Sequence, residues 1–423
     1  MSIRFKKKEK KMGTILFQNA SIIDSQSTEK RDGHHVVIED NKIREVSDKP
    51  ITTSIEQKID LAGKTLIPGL IDAHVHVKAT DINIGKLSEY PITYLTAGAG
   101  KLMKEMLMRG FTSVRDTGGA DKGLADAVDE GLLIGPRLFV SGLSLTQTGG
   151  HGDFRSSTLS ASPVTCACQL SSQPLGRIAD GIDECRRAAR DELRKGAHQI
   201  KIMAGGGVAS PTDPIQNTQY SVDEIRAICE EAEAWNTYVC AHAYIPKAII
   251  RAINNGVRTI EHGNLLDNES AKVMARNNAY LVPTNITYQA LYKHGREFGF
   301  PQTSMEKLGE VLEVGLRAIE IAKNNNVKIG HGSDLLGKCQ TYQSDEFLLK
   351  AEVLGNYEAI RQATQVNAEI LNMPDQLGVV KSGALADLVV IDGDPLADIS
   401  LLTNQGQHMP AIMKNGVFYK NEL

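Results

Sequence analysis

The chain has 423 residues, 41% of them hydrophobic, which is ample for a core and too long for one ordinary domain. Lys and Arg number 47 against 51 Asp and Glu, a formal net charge of -4, so there is no cationic footprint for nucleic acid. No run of about twenty apolar residues offers a membrane span, and six cysteines, scattered at 166, 168, 185, 229, 240 and 339, frame no disulfide scaffold and favour a reduced, cytoplasmic protein.

Residues 1–11 include Phe5-Lys6-Lys7-Lys8-Glu9-Lys10-Lys11, charged but followed by no apolar signal segment, and read as a disordered leader. From 12 to 67, short β-type runs alternate with turns: Ile15 to Phe17, His35 to Glu39, Lys42 to Val46 and Lys64 to Ile67, with Asp40-Asn41 as a tight hairpin turn. The pattern returns over 378–423, in Leu388 to Ile391 and Pro410 to Val417. Neither piece carries enough apolar surface for its own core, so the two are expected to pair into one small β-sandwich domain built from both chain termini.

Between them, over 68–377, short apolar runs alternate with longer helical segments. The strands end in His74 and His76, then follow at 112–116, 137–141, 199–203, 238–242, 259–262, 280–284 and 328–334. Helical spacing fills Ile182 to Lys195, Val222 to Trp235, Tyr244 to Asn254, Glu269 to Asn277 and Met305 to Asn324. Eight alternating units imply parallel pairing and an α/β fold, a closed (β/α)8 TIM barrel.

In such a barrel, polar residues at the C-terminal strand ends face the open mouth where chemistry occurs. Strand alternation sends His74 and His76 to the same side, so two imidazoles converge. The later strand ends add Lys201, His242, His262 and Asp334. Lys201 stands in the apolar run Gln199-Ile200-Lys201-Ile202-Met203, where a free ammonium is costly to desolvate and would repel a cation. As a CO₂ adduct it becomes an anion with two oxygens, able to bridge two metals; the alternative is pairing with a nearby carboxylate.

Together these six residues resemble the binuclear metal site of the amidohydrolase superfamily, over nearly the whole chain. The resemblance implies one divalent metal, zinc by expectation, held by His74, His76, Lys201 and Asp334, and a second held by Lys201, His242 and His262, with Lys201 modified to N6-carboxylysine by CO₂ or bicarbonate. A hydroxide between two such cations attacks the carbonyl, and Asp334 passes its proton to the leaving nitrogen.

Gly149-Gly150-His151-Gly152-Asp153 leaves an imidazole free to reach the open face, so His151 is a candidate to polarise the carbonyl or its oxyanion. Tyr244 follows His242 by two positions and Arg155 offers bidentate carboxylate binding; both are candidate substrate contacts. Gly205 to Pro211 reads as a loop closing over substrate. His331 is a further imidazole without an assigned role, and Cys166-x-Cys168 reads as a loop dithiol.

Within the superfamily, Leu-Ile-Pro-Gly-Leu-Ile-Asp-Ala-His-Val-His (residues 66–76), Gly-Gly-His-Gly-Asp (149–153), Ile-Lys-Ile-Met-Ala-Gly-Gly-Gly-Val (200–208) and Ala-His-Ala-Tyr (241–244) are similar to the prolidase-like branch, whose overall sequence also resembles imidazolonepropionase. The implied activity is hydrolysis of dipeptides, above all Xaa-Pro, by a homo-oligomeric enzyme with small-molecule partners only. The alternatives are a cyclic amidohydrolase or an imidazolonepropionase-like C–N hydrolase, which Lys201 argues against, and a catalytically silent scaffold.

Overall fold

The computed structural model describes residues 13–24, 27–155, 175–210 and 213–423. The leader and the Cys166/Cys168 pair therefore lie outside the described residues. Both chain ends build one sheet of eight strands. Thr14–Ile22, Arg31–Glu39, Lys42–Ser47, Gln57–Asp60 and Thr65–Pro68 come from the front; Leu388–Ile391, Ala411–Lys414 and Val417–Asn421 come from the back. The ends are joined where Leu388 pairs with Pro68 and Ile391 with Thr65 in antiparallel register. The sheet curls until Ile43 N–H donates to the Ala384 carbonyl and Ala386 N–H to that of Asn41. It thereby encloses Phe17, Ile22, Val36, Ile38, Leu66, Val390 and Met413, the core that neither end fills alone. The expected hairpin turn is present, with Asp40 in the left-handed region at φ 52°.

The barrel strands are β1 (Leu70–Val75), β2 (Phe111–Asp116), β3 (Arg137–Val140), β4 (Ile200–Met203), β5 (Val239–Ala243), β6 (Thr259–His262), β7 (Tyr280–Val282) and β8 (Lys328–Ile329). They pair in parallel as β1-β2-β3 and β4 through β8. This is the TIM-barrel arrangement that the repeated strand and helix imply.

Two seams complete the ring. At the first, β3 is interrupted by Gly142 at φ 69°, and the chain resumes as Ser144–Thr146, whose Leu145 pairs with Ile202 of β4. At the second, Ala73 N–H donates to the His331 carbonyl and Asp334 N–H to that of His74, each at 2.8 Å.

The helices follow the apolar periodicity with local exceptions. A capping box at Ser221 and Glu224 opens Val222–Ala234, and Pro246 delays the next helix to Pro246–Ile253. The segment read as one helix from Met305 to Asn324 is two, Gln302–Leu312 and Gly315–Asn324, divided where Gly315 packs against the Asn285 side chain. Among the described residues no helix is long and apolar enough to cross a membrane.

Candidate metal centre and active site

Strands β1 and β8 bring the first ligand candidates together. His74 Nε2 lies 3.4 Å and His76 Nε2 3.2 Å from Asp334 Oδ1, and His262 Nδ1 is 3.8 Å from Asp334 Oδ2. One ligand atom from each of His74, His262 and Asp334 lies within 4.8 Å of the others. Two of these residues occupy the left-handed region, His262 at φ 75° and Asp334 at φ 50°. Backbone strain of this kind costs about 1 kcal/mol or more and concentrates at functional sites.

The far side of each imidazole decides what the near side offers. His74 Nδ1 is 2.8 Å from Glu261 Oε2, and His76 Nδ1 is 2.9 Å from the Gly118 carbonyl. Both partners only accept, so each ring carries its proton at Nδ1 and turns a lone pair at Nε2 toward the Asp334 carboxylate. Lone pairs facing an anion at this distance repel unless a positive charge sits among them. The donor set therefore fits a cation, and a proton is its only competitor: burial disfavours charge on His76, but Asp334 raises its pKa overall.

The second group is drawn from β4, β5 and β6. Burial, reinforced by His151 and His262, pushes the pKa of His242 well below the usual histidine range. Burial does the same for His262 against the pull of Asp334. Both rings are therefore neutral and competent to bind metal. His242 Nε2 contacts the Gly206 carbonyl at 3.0 Å and its ring centroid is 4.5 Å from that of His262. Lys201 is fully buried, burial lowers its pKa, and it forms no ion pair among the described residues. The carboxylates of Glu261 and Asp334 pull its pKa the other way, but neither lies within ion-pair distance of it.

The substrate-facing candidates divide. The His151 ring stacks on His242, with centroids 4.1 Å apart and planes at 24°. Tyr244 stands edge-on to His242 at 4.9 Å and accepts a 2.9 Å hydrogen bond from the Tyr288 hydroxyl. Arg155, by contrast, is occupied by Asp153, to which its Nε and one terminal nitrogen donate at 2.7 and 2.6 Å. His331 is a core residue: it is fully buried, neither ring nitrogen has a hydrogen-bond partner among the described residues, and it packs 4.4 Å from Phe347 and 5.8 Å from Phe111, centroid to centroid. Replacing it by leucine is expected to raise the unfolding free energy by about 1 kcal/mol, since an unsatisfied polar ring is removed. Denaturant melts compare the two proteins, and a less stable variant would contradict the assignment.

Sequence reasoning missed the support behind these residues. Arg115 on β2 and Glu261 on β6 form a fully buried ion pair at 2.8 Å, and Glu261 in turn orients His74. Each of the two is a charged residue inside a predicted strand, but amid polar neighbours (Thr112, Ser113, Asp116; Thr259, His262) rather than in an apolar run like that of Lys201. Asp72 was also within the β1 motif: its Oδ1 accepts from the backbone N–H of His74 at 3.0 Å and of Ser333 at 3.2 Å.

A barrel of this topology with imidazoles and a carboxylate at its mouth defines a class that comparison with known proteins identifies. The amidohydrolase family model matches residues 65–416. The chain is 50% identical to a prolidase crystallised with N-methylphosphonate-L-proline, with 96% of this chain and 100% of that one covered and a TM-score of 0.94. It is 30% identical to a Xaa-Pro dipeptidase solved with methionine in its active site, over 96% of this chain and 100% of that one, with a TM-score of 0.86. Ochratoxinase of Aspergillus niger is 30% identical over 367 residues, 84% of this chain and 75% of its own length. The chain belongs to the amidohydrolase family. It is a hydrolase acting on C–N bonds, of a family that generally works through a divalent metal centre.

Proposed function

We propose that the protein hydrolyses dipeptides, preferentially Xaa-Pro, at a binuclear centre held by His74, His76, Lys201, His242, His262 and Asp334. The observation that carries the hydrolytic reading is the meeting of His74 Nε2, His76 Nε2 and Asp334 Oδ1 within 3.4 Å, an arrangement that calls for a cation. The peptide reading is supported by the likeness to the prolidase and the Xaa-Pro dipeptidase.

Zinc or a similar ion bound there supplies water activation near neutral pH and polarises the amide carbonyl. As N6-carboxylysine, Lys201 would turn its buried amine into an anionic oxygen donor and would help to hold the metal centre. Asp334 accepts a proton from the attacking water and delivers it to the departing nitrogen, which is too basic to leave as an anion. The C–N bond breaks, and the products are a free amino acid and proline. His151 presents its imidazole to the carbonyl oxygen. Tyr244, which accepts from Tyr288, keeps its own proton to donate to the substrate carboxylate. Arg155 takes a supporting part by fixing Asp153 in the loop that carries His151.

The likeness to ochratoxinase favours a second reading, an amide outside the dipeptides. A dipeptide library, with cyclic amides and ochratoxin alongside, assayed with and without chelator, separates them. Xaa-Pro turnover that chelation stops and zinc restores is expected. Turnover confined to the other amides would replace the dipeptide assignment, and activity indifferent to chelation would remove the metal.

A further inference from the structure

The glycine-rich segment after β4 is built for close packing. A Cβ at Gly207 would lie 2.1 to 2.5 Å from three atoms of the His151 ring, and one at Gly206 would lie 1.8 Å from the Pro214 carbonyl oxygen. Lys307, on the helix Gln302–Leu312, donates to the carbonyls of Gly207, Ser210 and Asp213 at 3.0, 2.9 and 2.6 Å. Glycine here lets backbone approach a ring, and the lysine pins the segment in place.

Asp213, fully buried, is the hub of this cradle. Its Oδ2 accepts from Gly207 N–H at 3.0 Å and from Gln219 Nε2 at 2.9 Å, and lies 3.5 Å from His151 Nδ1. Its Oδ1 accepts the Ser210 hydroxyl. Ser210 Oγ is itself 2.8 Å from His151 Nδ1. Since a carboxylate has no proton to give, the serine hydrogen points to Asp213 and its oxygen accepts from His151 Nδ1–H. The His151 backbone N–H donates to Gln219 Oε1 at 2.8 Å and fixes the other end of the residue.

We propose that Asp213, acting through Ser210, is a positioning residue that sets the plane of His151: with Nδ1–H held by Ser210, the ring that carries both protons is aimed to donate from Nε2–H to the scissile carbonyl oxygen, with the Asp213 carboxylate as its counter-charge. This rests on the reading above that His151 faces the substrate. The chain Asp213 to Ser210 to His151 has the logic of a carboxylate that orients a working imidazole, with a hydroxyl interposed. The nearby His242 ring, stacked at 4.1 Å, gives that orientation a fixed distance from the metal ligands.

Ser210→Ala, Asp213→Asn and His151→Ala, each assayed as metal-loaded enzyme on a Xaa-Pro dipeptide, test the relay. Ser210→Ala cuts the link while leaving the bonds from Asp213 to Gly207 and Gln219 intact, so it decides the matter even if Asp213→Asn fails to fold. The expected result is a fall in kcat of about 10-fold for Ser210→Ala and about 10²-fold for Asp213→Asn, with KM within about twofold. Metal per chain stays at the parent value and Ser210→Thr recovers most of the rate. In a His151→Ala background neither substitution costs anything further. Additive losses in that background, lost metal, or unchanged kcat in Ser210→Ala would overturn the relay. A damaged His151→Ala beside an intact Ser210→Ala removes the relay alone, whereas an unimpaired His151→Ala removes the substrate-facing reading beneath it.

Discussion

Asp334→Asn is expected to lower kcat on a susceptible dipeptide by about 10³-fold or more, with the fold intact. Asparagine keeps the shape of the side chain but loses both the negative charge and the ability to accept a proton. Burial alone would favour a neutral Asp334, yet positive charge shared with His74, His76 and His262, a proton or the cation that their Nε2 lone pairs call for, holds its carboxyl well below the usual range, so it is an anion at neutral pH. Its backbone N–H, which closes the barrel by donating to the His74 carbonyl at 2.8 Å, is untouched by the substitution. Steady-state kinetics with metal analysis of the same sample give the test. A variant retaining a tenth of the parent kcat would show that another group moves the proton.

Arg115→Met should destabilise the protein by about 3–5 kcal/mol, the usual consequence of leaving one buried charge without its partner. The guanidinium donates at 2.6 Å to the Ala73 carbonyl, at 3.1 Å to Thr259 Oγ1 and at 2.8 and 2.9 Å to the two oxygens of Glu261. Burial would raise the Glu261 carboxyl, and Arg115 overrides it to hold the group well below the normal range. Arg115→Met/Glu261→Leu removes both charges and is expected to recover most of the lost stability. It does not recover metal affinity, because His74 then lacks the acceptor that keeps its proton at Nδ1, and binding should weaken by about 10 to 100-fold. Denaturant melts and metal titration read the two effects separately. A single variant within about 1 kcal/mol of the parent would refute the account of the pair.

The strands and the ligand candidates were legible because both obey short rules. Apolar runs of four or five residues mark the barrel strands, and a polar residue at the end of each marks the mouth, so His74, His76, Lys201, His242, His262 and Asp334 were all within reach. What the sequence hides is pairing at long range. Nothing in the local pattern around Arg115 points to Glu261, 146 positions away, and Tyr288 reaches Tyr244 only because the helix after β7 folds over the mouth. The break in β3 at Gly142 and the division of the helix near Gly315 depend on what each glycine meets in space. Arg155 shows the opposite failure: the residue that occupies it lies just two positions back, yet a surface arginine and a loop aspartate give no local sign that they will pair.

The tie between β1 and β8 has a consequence for biosynthesis. His74 emerges from the ribosome some 260 residues before Asp334, and until that last stretch arrives its carbonyl lacks the Asp334 N–H, and Asp72, bonded locally to the His74 N–H, lacks the Ser333 groups that reach its oxygens at 3.2 and 2.6 Å. On the proposed coordination by His74, His76 and Asp334, a growing chain gathers cations only weakly, and the finished cylinder and the finished set of donors come into being in the same event. Ion uptake in a refolding experiment is then expected to report on ring closure itself, and a captured ion to act as a clasp against reopening.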